Sequence, residues 1–281
     1  MYQKHKIFEP ELSDNTRLWR YMDFTKYVSM LSTRSLFFVR LDKLGDRWEG
    51  KYPKKQWTRL IEAEKQARNE IIKLLEKNIN NAQKVGIERD VQRFMESKDV
   101  FESHPTGHTE FLKYQTSWTA TNCWHEGEHE SAAMWKLYLT SCEGIAIESD
   151  FDRMKQSFAI VQEDVFIGRV LYKDYDKEDI PTSNMLYPLM TKRKSFEHEK
   201  EVRAVIWRGL QGIEQIGKEK AKAPWNDPGE LIPVNMAVLI KAVYVAPGSP
   251  EWFVGIVKDV THKYGFDKSI ENSRIDEDPI Y

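Results

Sequence analysis

The heptapeptide EVRAVIW at 201–207 constrains the fold more than any other stretch of the chain. Apolar Val202, Ala204 and Ile206 fall on every second position. A period of two marks a strand with one buried face, so these three are expected to face a core, with Glu201 and Arg203 sharing the opposite face. Glu199 continues the alternation towards the N-terminus, behind the basic cluster TKRK at 191–194 and the aromatic Phe196. Left in solvent, Glu201 and Arg203 would add little to stability. Two carboxylates and a guanidinium entering one strand call for either a solvated face or a site.

The rest of the chain gives short strands mixed with helices instead of a strict alternation, which implies an α+β fold. Strands are expected at 18–22, 35–40, 117–122, 144–150, 166–175 and within 231–247. In the first of these Leu18, Arg20 and Met22 share one side, Trp19 and Tyr21 the other. Helices are expected from Asp23, from Ser131 and from Asp150, each opening on a residue able to cap the first turn. A last helix falls within 248–265, with Trp252, Ile256, Val257 and Val260 on one face. Residues 54–79 and 86–97 interleave charges on an amphipathic pattern. They read as a helical hairpin with its turn at 84–86, followed by a loop at 102–108. The whole of 1–281 is taken as one domain, with 54–112 as a helical insertion. The lead-in 1–16 and the linker 176–188 are expected to be irregular.

Composition narrows the function. A net charge of −2 gives no global pull towards nucleic acid or membrane. Two cysteines, Cys123 and Cys142, make neither a disulfide framework nor a zinc spacing, and both are expected to be reduced and buried. The opening MYQKHKIFEPEL lacks the apolar core of a signal peptide, and no apolar run approaches the ~20 residues of a membrane span. The expected location is the cytoplasm. His104 with His108, and His125 with His129, have helix-compatible spacing, and HEGEH matches the HExxH pattern letter for letter. Glycine and proline within these segments argue against the helix that would bring each pair onto one face, so no metal is expected. Nucleophile-elbow, phosphate-loop and dinucleotide-fold glycine patterns do not occur.

Four blocks in order carry a resemblance: LWRYMDF…LFFVRLDKLGDRWEG, NCWHEGEHESAAMWKLYLTSCEGIAIESD, GRVLYKDY and KRKSFEHEKEVRAVIW. By them the chain resembles the bacterial domain-of-unknown-function family 2971. The block order is similar to that of the ADP-ribosyltransferase-like fold, especially its DNA-targeting toxins and RNA 2′-phosphotransferases. The resemblance implies a central mixed or antiparallel split sheet flanked by helices, with NAD as substrate. It implies a cation and an aromatic on the first strand, matched here by Arg20 and Tyr21. It implies a glutamate at the start of a later strand, matched best by Glu201 and next by Glu199. The aromatic or hydroxyl residue of its middle strand could be Trp135, Tyr138 or Ser117. Phe196 would cover the site, and Arg203 would join Arg20 in holding the cofactor. The function so implied is an ADP-ribosyltransferase or NAD glycohydrolase, a toxin or anti-phage effector, with nucleic acid or protein as acceptor and an antitoxin or other protein as partner. Two other classes stay open. One is a non-catalytic module binding a nucleotide or a partner. The other is a Mg²⁺-dependent nuclease built on Glu199, Glu201, Asp46 and Glu49 with Lys192.

Overall fold

A computed structural model describes residues 1–103, 108–138, 143–213 and 223–276. Twelve strands lie among them. They are β1 (Tyr2–Gln3), β2 (Arg17–Asp23), β3 (Ser35–Arg40), β4 (Thr119–Glu126), β5 (Gly144–Asp150), β6 (Val165–Arg169), β7 (Leu171–Lys173), β8 (Thr191–Arg193), β9 (Glu201–Trp207), β10 (Gly229–Pro233), β11 (Ala242–Val245) and β12 (Ser269–Asn272). Ten of them form one mixed sheet in the order β1-β6-β9-β4-β2-β5-β11-β12, with β10 and β3 branching from β4. Strands β7 and β8 make a separate parallel pair.

The branch is the feature that shapes the molecule. On its far edge from β9, β4 pairs with β2 at Leu18↔Glu126 and Trp19↔His125. At its other end it pairs with β3 at Val39↔Thr121 and Arg40↔Ala120. Between these contacts β2 and β3 diverge, and residues 122–124 have no strand neighbour on that edge. Buried backbone polar groups need partners, and side chains supply them. Arg20 donates Nη1–H to the Cys123 carbonyl at 2.5 Å. Asn122 donates Nδ2–H to the Phe37 carbonyl at 2.9 Å and accepts the Trp124 indole N–H at 2.8 Å.

The alternation in β9 resolves as expected: Val202, Ala204 and Ile206 are fully buried in the main core. They share that face with Leu18 and Met22 of β2, Ala120 and Trp124 of β4, and Ile145 and Ile147 of β5. Helices Phe24–Thr33, Phe151–Ser157 and Glu251–Lys263 close over it with Tyr27, Leu31, Phe151, Met154, Phe253 and Val257. Asp23 and Asp150 cap the first two, accepting from the backbone N–H groups of Lys26 and Arg153. On the other face, helix Ala132–Tyr138 packs Met134 and Trp135 against Trp19 and Tyr21.

The hairpin forms as helices Lys54–Val85 and Glu88–Ser103, with Gly86 at φ 75° closing the first. Its base is fixed where Gln56 exchanges both of its amide hydrogen bonds with the backbone of Ile180. The expected loop at 102–108 falls mostly on 104–107, outside the described residues, and a helix follows at His108–Tyr114.

Several boundaries differ from expectation. Strand β4 starts two residues later than expected, because Gln115–Ser117 finish the preceding helix as a turn in which the Ser117 hydroxyl donates to Tyr114. It also ends four residues later, because His125 and Glu126 still have partners on both edges. The strand expected at 166–175 breaks after Val170: the Val170 N–H still donates to the Glu201 carbonyl of β9, but the Leu171 N–H donates to Met190 instead. Residues 194–199 are a 3₁₀ segment, so the late strand opens at Glu201 and not before. Helix Glu251–Lys263 turns Phe253, Val254, Val257 and Thr261 inwards and leaves Trp252 and Ile256 exposed. It is not the last element: β12 adds in parallel to β11. The lead-in likewise supplies an edge strand, β1, along β6, and the linker contains a short helix at Leu186–Leu189.

Replacing Asn122 by Ala would strand the Trp124 N–H and the Phe37 carbonyl together. Chemical denaturation should show a loss of about 2–4 kcal/mol, the penalty of two unpaired buried groups; a loss below about 1 kcal/mol would mean that water fills the fork.

Candidate functional site

The fork opens into a cleft with two limbs. The first, about 480 Å³, runs between β2 and β3 and is largely apolar, with Met22, Met30, Phe37, Val39, Leu231 and Met134 in its walls. The second, about 540 Å³, lies over the start of β9 and is lined by Asp46, Trp48, Glu49, Lys192, Arg193 and Phe196. Each falls within the size range of small-molecule sites. Cys123, Tyr138, Glu199 and Glu201 line both limbs and mark their junction.

The junction is built from the start of β9. The 3₁₀ segment Lys194–Glu199 ends at Lys200, whose φ of 40° is left-handed, a conformation a lysine adopts only when its surroundings hold it there. Strand β9 then begins at Glu201. The Glu201 N–H donates to the Tyr172 hydroxyl at 2.8 Å. Arg203, next on the same face, donates Nε–H to Glu201 Oε1 at 2.7 Å and Nη2–H to Oε2 at 3.0 Å. It also reaches Glu49 Oε2 at 3.2 Å and the Leu189 carbonyl at 2.7 Å. Lys192, on β8, places its ammonium 2.6 Å from Glu199, 3.2 Å from Glu49 and 3.4 Å from Glu201. Glu49 arrives from the loop after β3, where Gly50 turns the chain at φ 68°; a Cβ there would sit 2.6 Å from Thr116 and 2.7 Å from Leu41.

Three carboxylates, Glu49, Glu199 and Glu201, thus meet two cations, Lys192 and Arg203, leaving one negative charge in excess. Burial alone would raise the Glu201 carboxyl. The Arg203 guanidinium, then Lys192, outweigh it and hold Glu201 down to about 2, so it stays ionised across the physiological range. Burial, reinforced by Glu201, pushes the Cys123 thiol up to about 12, which makes it a poor nucleophile. Tyr138 is half exposed as a residue, but desolvation on its cleft side, then the nearby negative groups, pushes its phenol up to about 12. His125, across β4 from Glu201, has its basicity lowered by burial. Its Nδ1 lies 2.6 Å from the Glu199 carbonyl; a carbonyl can only accept, so Nδ1 carries the hydrogen.

Of the residues singled out from the sequence, Arg20, Tyr138, Phe196, Glu199 and Glu201 meet at this cleft. Arg20 has no carboxylate within ion-pair distance among the described residues, and desolvation lowers its pKa. Phe196 lies under the Lys192 ammonium, 4.8 Å from ring centre to nitrogen. Tyr21 contributes wall, but its hydroxyl accepts from the Ser131 N–H and its ring edges against Trp135, so it is a support. Trp135 lines neither limb: it is buried behind Tyr21 with its indole N–H on Glu130. Arg203 is fully buried with its donors taken by Glu201, Glu49 and Leu189, so it braces a carboxylate and does not hold a ligand. Ser117 sits in the turn before β4, away from the junction.

The carboxylates grouped as a Mg²⁺ site are each engaged, Asp46 by the Arg193 fork at 2.8 and 3.0 Å and the others by Lys192 and Arg203. Among the described residues no group of three or more His, Cys, Asp or Glu is placed to hold a metal ion. His125 and His129 lie on a strand and in the turn beyond it, and His104 and Cys142 fall outside the described residues. No helix among the described residues is long and apolar enough to cross a membrane.

Sequence reasoning missed Thr121, Cys123 and His125 as cleft residues. Their alternation with Ala120, Asn122 and Trp124 was readable, had the strand been continued to Glu126. No protein-family model matches the chain, and neither curated proteins nor solved structures give a match.

Removing Arg203 leaves Glu201 and Glu49 in the interior with Lys192 alone, which they share with Glu199. Arg203→Met should therefore lose about 3–5 kcal/mol in denaturant unfolding, where a change under about 1 kcal/mol would show that the cluster is solvated. Acid titration gives a second check. The folded carboxyl of Glu201 sits below its unfolded value, so its contribution is complete above pH 4.5 and is lost as pH falls towards about 2. In Glu201→Gln that segment of the stability–pH curve should flatten.

Proposed function

We propose that the protein is an NAD-consuming enzyme of the ADP-ribosyltransferase-like kind, transferring ADP-ribose to nucleic acid, protein or water. The observation that carries this reading is the meeting of Arg20 and Glu201 at one cleft, from the first central strand and the head of a late one, where the central sheet splits. The sequence resemblance, which implies a first-strand cation and a late-strand glutamate, supports the same reading. Fold likeness is only an associational warrant for function, so the chemistry has to stand by itself.

Cleavage breaks the bond between ribose C1 and the nicotinamide nitrogen. The electron pair leaves with neutral nicotinamide, positive charge develops on the sugar, and the acceptor's nucleophile bonds to C1 and gives up its proton. A carboxylate fixed beside that sugar stabilises the developing charge more than the ground state. Glu201 meets the requirement: it is ionised, held on two sides, and belongs to a cluster with surplus negative charge. Each carboxylate oxygen has two acceptor positions; Arg203 takes one on Oε1 and the Cys123 thiol also hydrogen-bonds this carboxylate, so a ribose hydroxyl would donate to Glu201 by displacing that weak thiol donor. Arg20 offers a guanidinium without a carboxylate for the pyrophosphate, and the apolar limb suits a heteroaromatic base.

One observation favours a second reading, a module that binds a nucleotide without turnover: both oxygens of Glu201 are already paired with cations. Nicotinamide release by the purified protein separates the two. The proposal expects release that Glu201→Gln lowers by at least about 10²-fold, and that Arg20→Ala impairs chiefly through a raised KM for NAD. NAD binding without release, in the presence of nucleic-acid and protein acceptors, would support the binding module. Release unaffected by either substitution would place the chemistry elsewhere.

A further inference from the structure

We propose that Lys192 is a positioning residue of this site: its ammonium bridges Glu49, Glu199 and Glu201 and holds the last two side by side and turned into the cleft. With it, the small β7–β8 sheet becomes part of the functional machinery. The proposal rests on the reading of Glu201 as the working carboxylate, but its physical core is separable from turnover.

Among the described residues the geometry gives Lys192 a role that no other cation shares. Its ammonium touches all three carboxylates, whereas Arg203 reaches Glu201 and Glu49. It is also the ion-pair partner of the Glu199 carboxylate. Its stem is buried, with the side chain about 10% exposed, so the ammonium is not free to swing into solvent. Its register partner across the two-stranded sheet is Tyr172, and the Tyr172 hydroxyl takes the Glu201 N–H. One cross-strand pair therefore holds the backbone of Glu201 from one side and both side chains from the other. Between them Lys200 stays in its left-handed conformation, which costs about 1 kcal/mol or more and persists only where the surroundings fix it.

The groups facing Lys192 can be followed element by element. The loop after β3 brings Glu49, and also Asp46, which Arg193 neutralises. The 3₁₀ segment brings Glu199 and the ring of Phe196, and β9 brings Glu201 and Arg203. Strand β7 brings Tyr172, β4 brings Cys123 and His125, and Tyr138 comes from its own helix. Among these the cations are Arg203 and Arg193, and Arg193 is spent on Asp46. Without Lys192, Glu49 and Glu201 would share the Arg203 guanidinium and Glu199 would have no ion-pair partner among the described residues. Carboxylates crowded into one buried site do not all stay ionised at neutral pH, so one of them would take up a proton.

The test is Lys192→Met, which keeps the stem and deletes the charge, beside Lys192→Arg, which keeps the charge. Melting temperatures are read from pH 4.5 to 8 for both variants and the wild type. In Lys192→Met a carboxyl has a folded pKa above its unfolded value. Its destabilisation is complete above that raised value and fades as the pH falls towards 4.5. The deficit at pH 8 should be at least about twice that at pH 4.5, and Lys192→Arg should remove most of it. If nicotinamide release is present, its acid limb should move up by about one to two pH units in Lys192→Met and return in Lys192→Arg. A pH-independent deficit, or an unmoved acid limb, would mean that Lys192 only packs, and the proposal falls. If the wild type releases no nicotinamide, the melting series still decides, and only the enzymatic reading is lost. If Lys192→Met fails to fold at any pH, Lys192→Met with Glu199→Gln removes the surplus charge and should fold; failure of that pair would also overturn the proposal.

Discussion

Arg203 is completely buried, and a guanidinium cannot shed its charge to escape the interior. Each donor has to find an acceptor, and the acceptors it finds pin four parts of the chain together: β9 through Glu201, the loop after β3 through Glu49, the short helix before β8 through the Leu189 carbonyl, and, through the shared Glu49 and Glu201, Lys192 of β8. A buried ion pair adds little or nothing over a well-packed apolar replacement, but breaking one is severe. The cluster is therefore better understood as a device that fixes where carboxylates sit than as a source of stability. Its surplus negative charge faces the cleft and is left for a ligand to answer.

The cleft exists because the sheet splits. An unbroken sheet would leave no room at β4, and an unsupported split would leave its backbone groups unpaired. Arg20 and Asn122 solve the second problem, and their solution is asymmetric. Asn122 is tied to Phe37 and Trp124 and is scaffold. Arg20 gives a hydrogen bond to the Cys123 carbonyl and, among the described residues, has no carboxylate within ion-pair distance. One residue thus serves the fold with part of its guanidinium and has the remainder available for an anion. The excess positive character at Arg20 and the excess negative character around Glu201 lie along the same cleft, separated by Cys123 and Tyr138, whose raised ionisation keeps both neutral.

Much of this was legible in the sequence wherever periodicity was the controlling signal. Alternation placed Val202, Ala204 and Ile206 inwards and Glu201 with Arg203 on the other face. It also separated Leu18 and Met22 from Trp19 and Tyr21, while Asp23 and Asp150 announced their helices. What stayed hidden depends on contacts between segments far apart in the chain. Glu49 reads as a turn residue because nothing local says that Gly50 folds it under Arg203. Tyr172 lies in what reads as one long strand, and only the switch of partner after Val170 frees it to reach Glu201. Trp135 matches the middle-strand aromatic of the resemblance by residue type alone; it lies one turn into its helix, and packing against Tyr21 buries it outside the cleft. The resemblance implies that Arg203 joins Arg20 in holding the cofactor, and its burial among two carboxylates overrules that.

The central claim is that the fork between β2 and β3, with the carboxylates at the head of β9, is the ligand site. A crystal structure of the protein soaked with a non-hydrolysable NAD analogue tests it most directly. The account predicts density along the fork, with the pyrophosphate at Arg20 and the ribose nearest the nicotinamide against Glu201. An analogue bound instead at the polar cavity around Arg17, Glu148 and Tyr244, or on the hairpin helices with the fork left free, would contradict it.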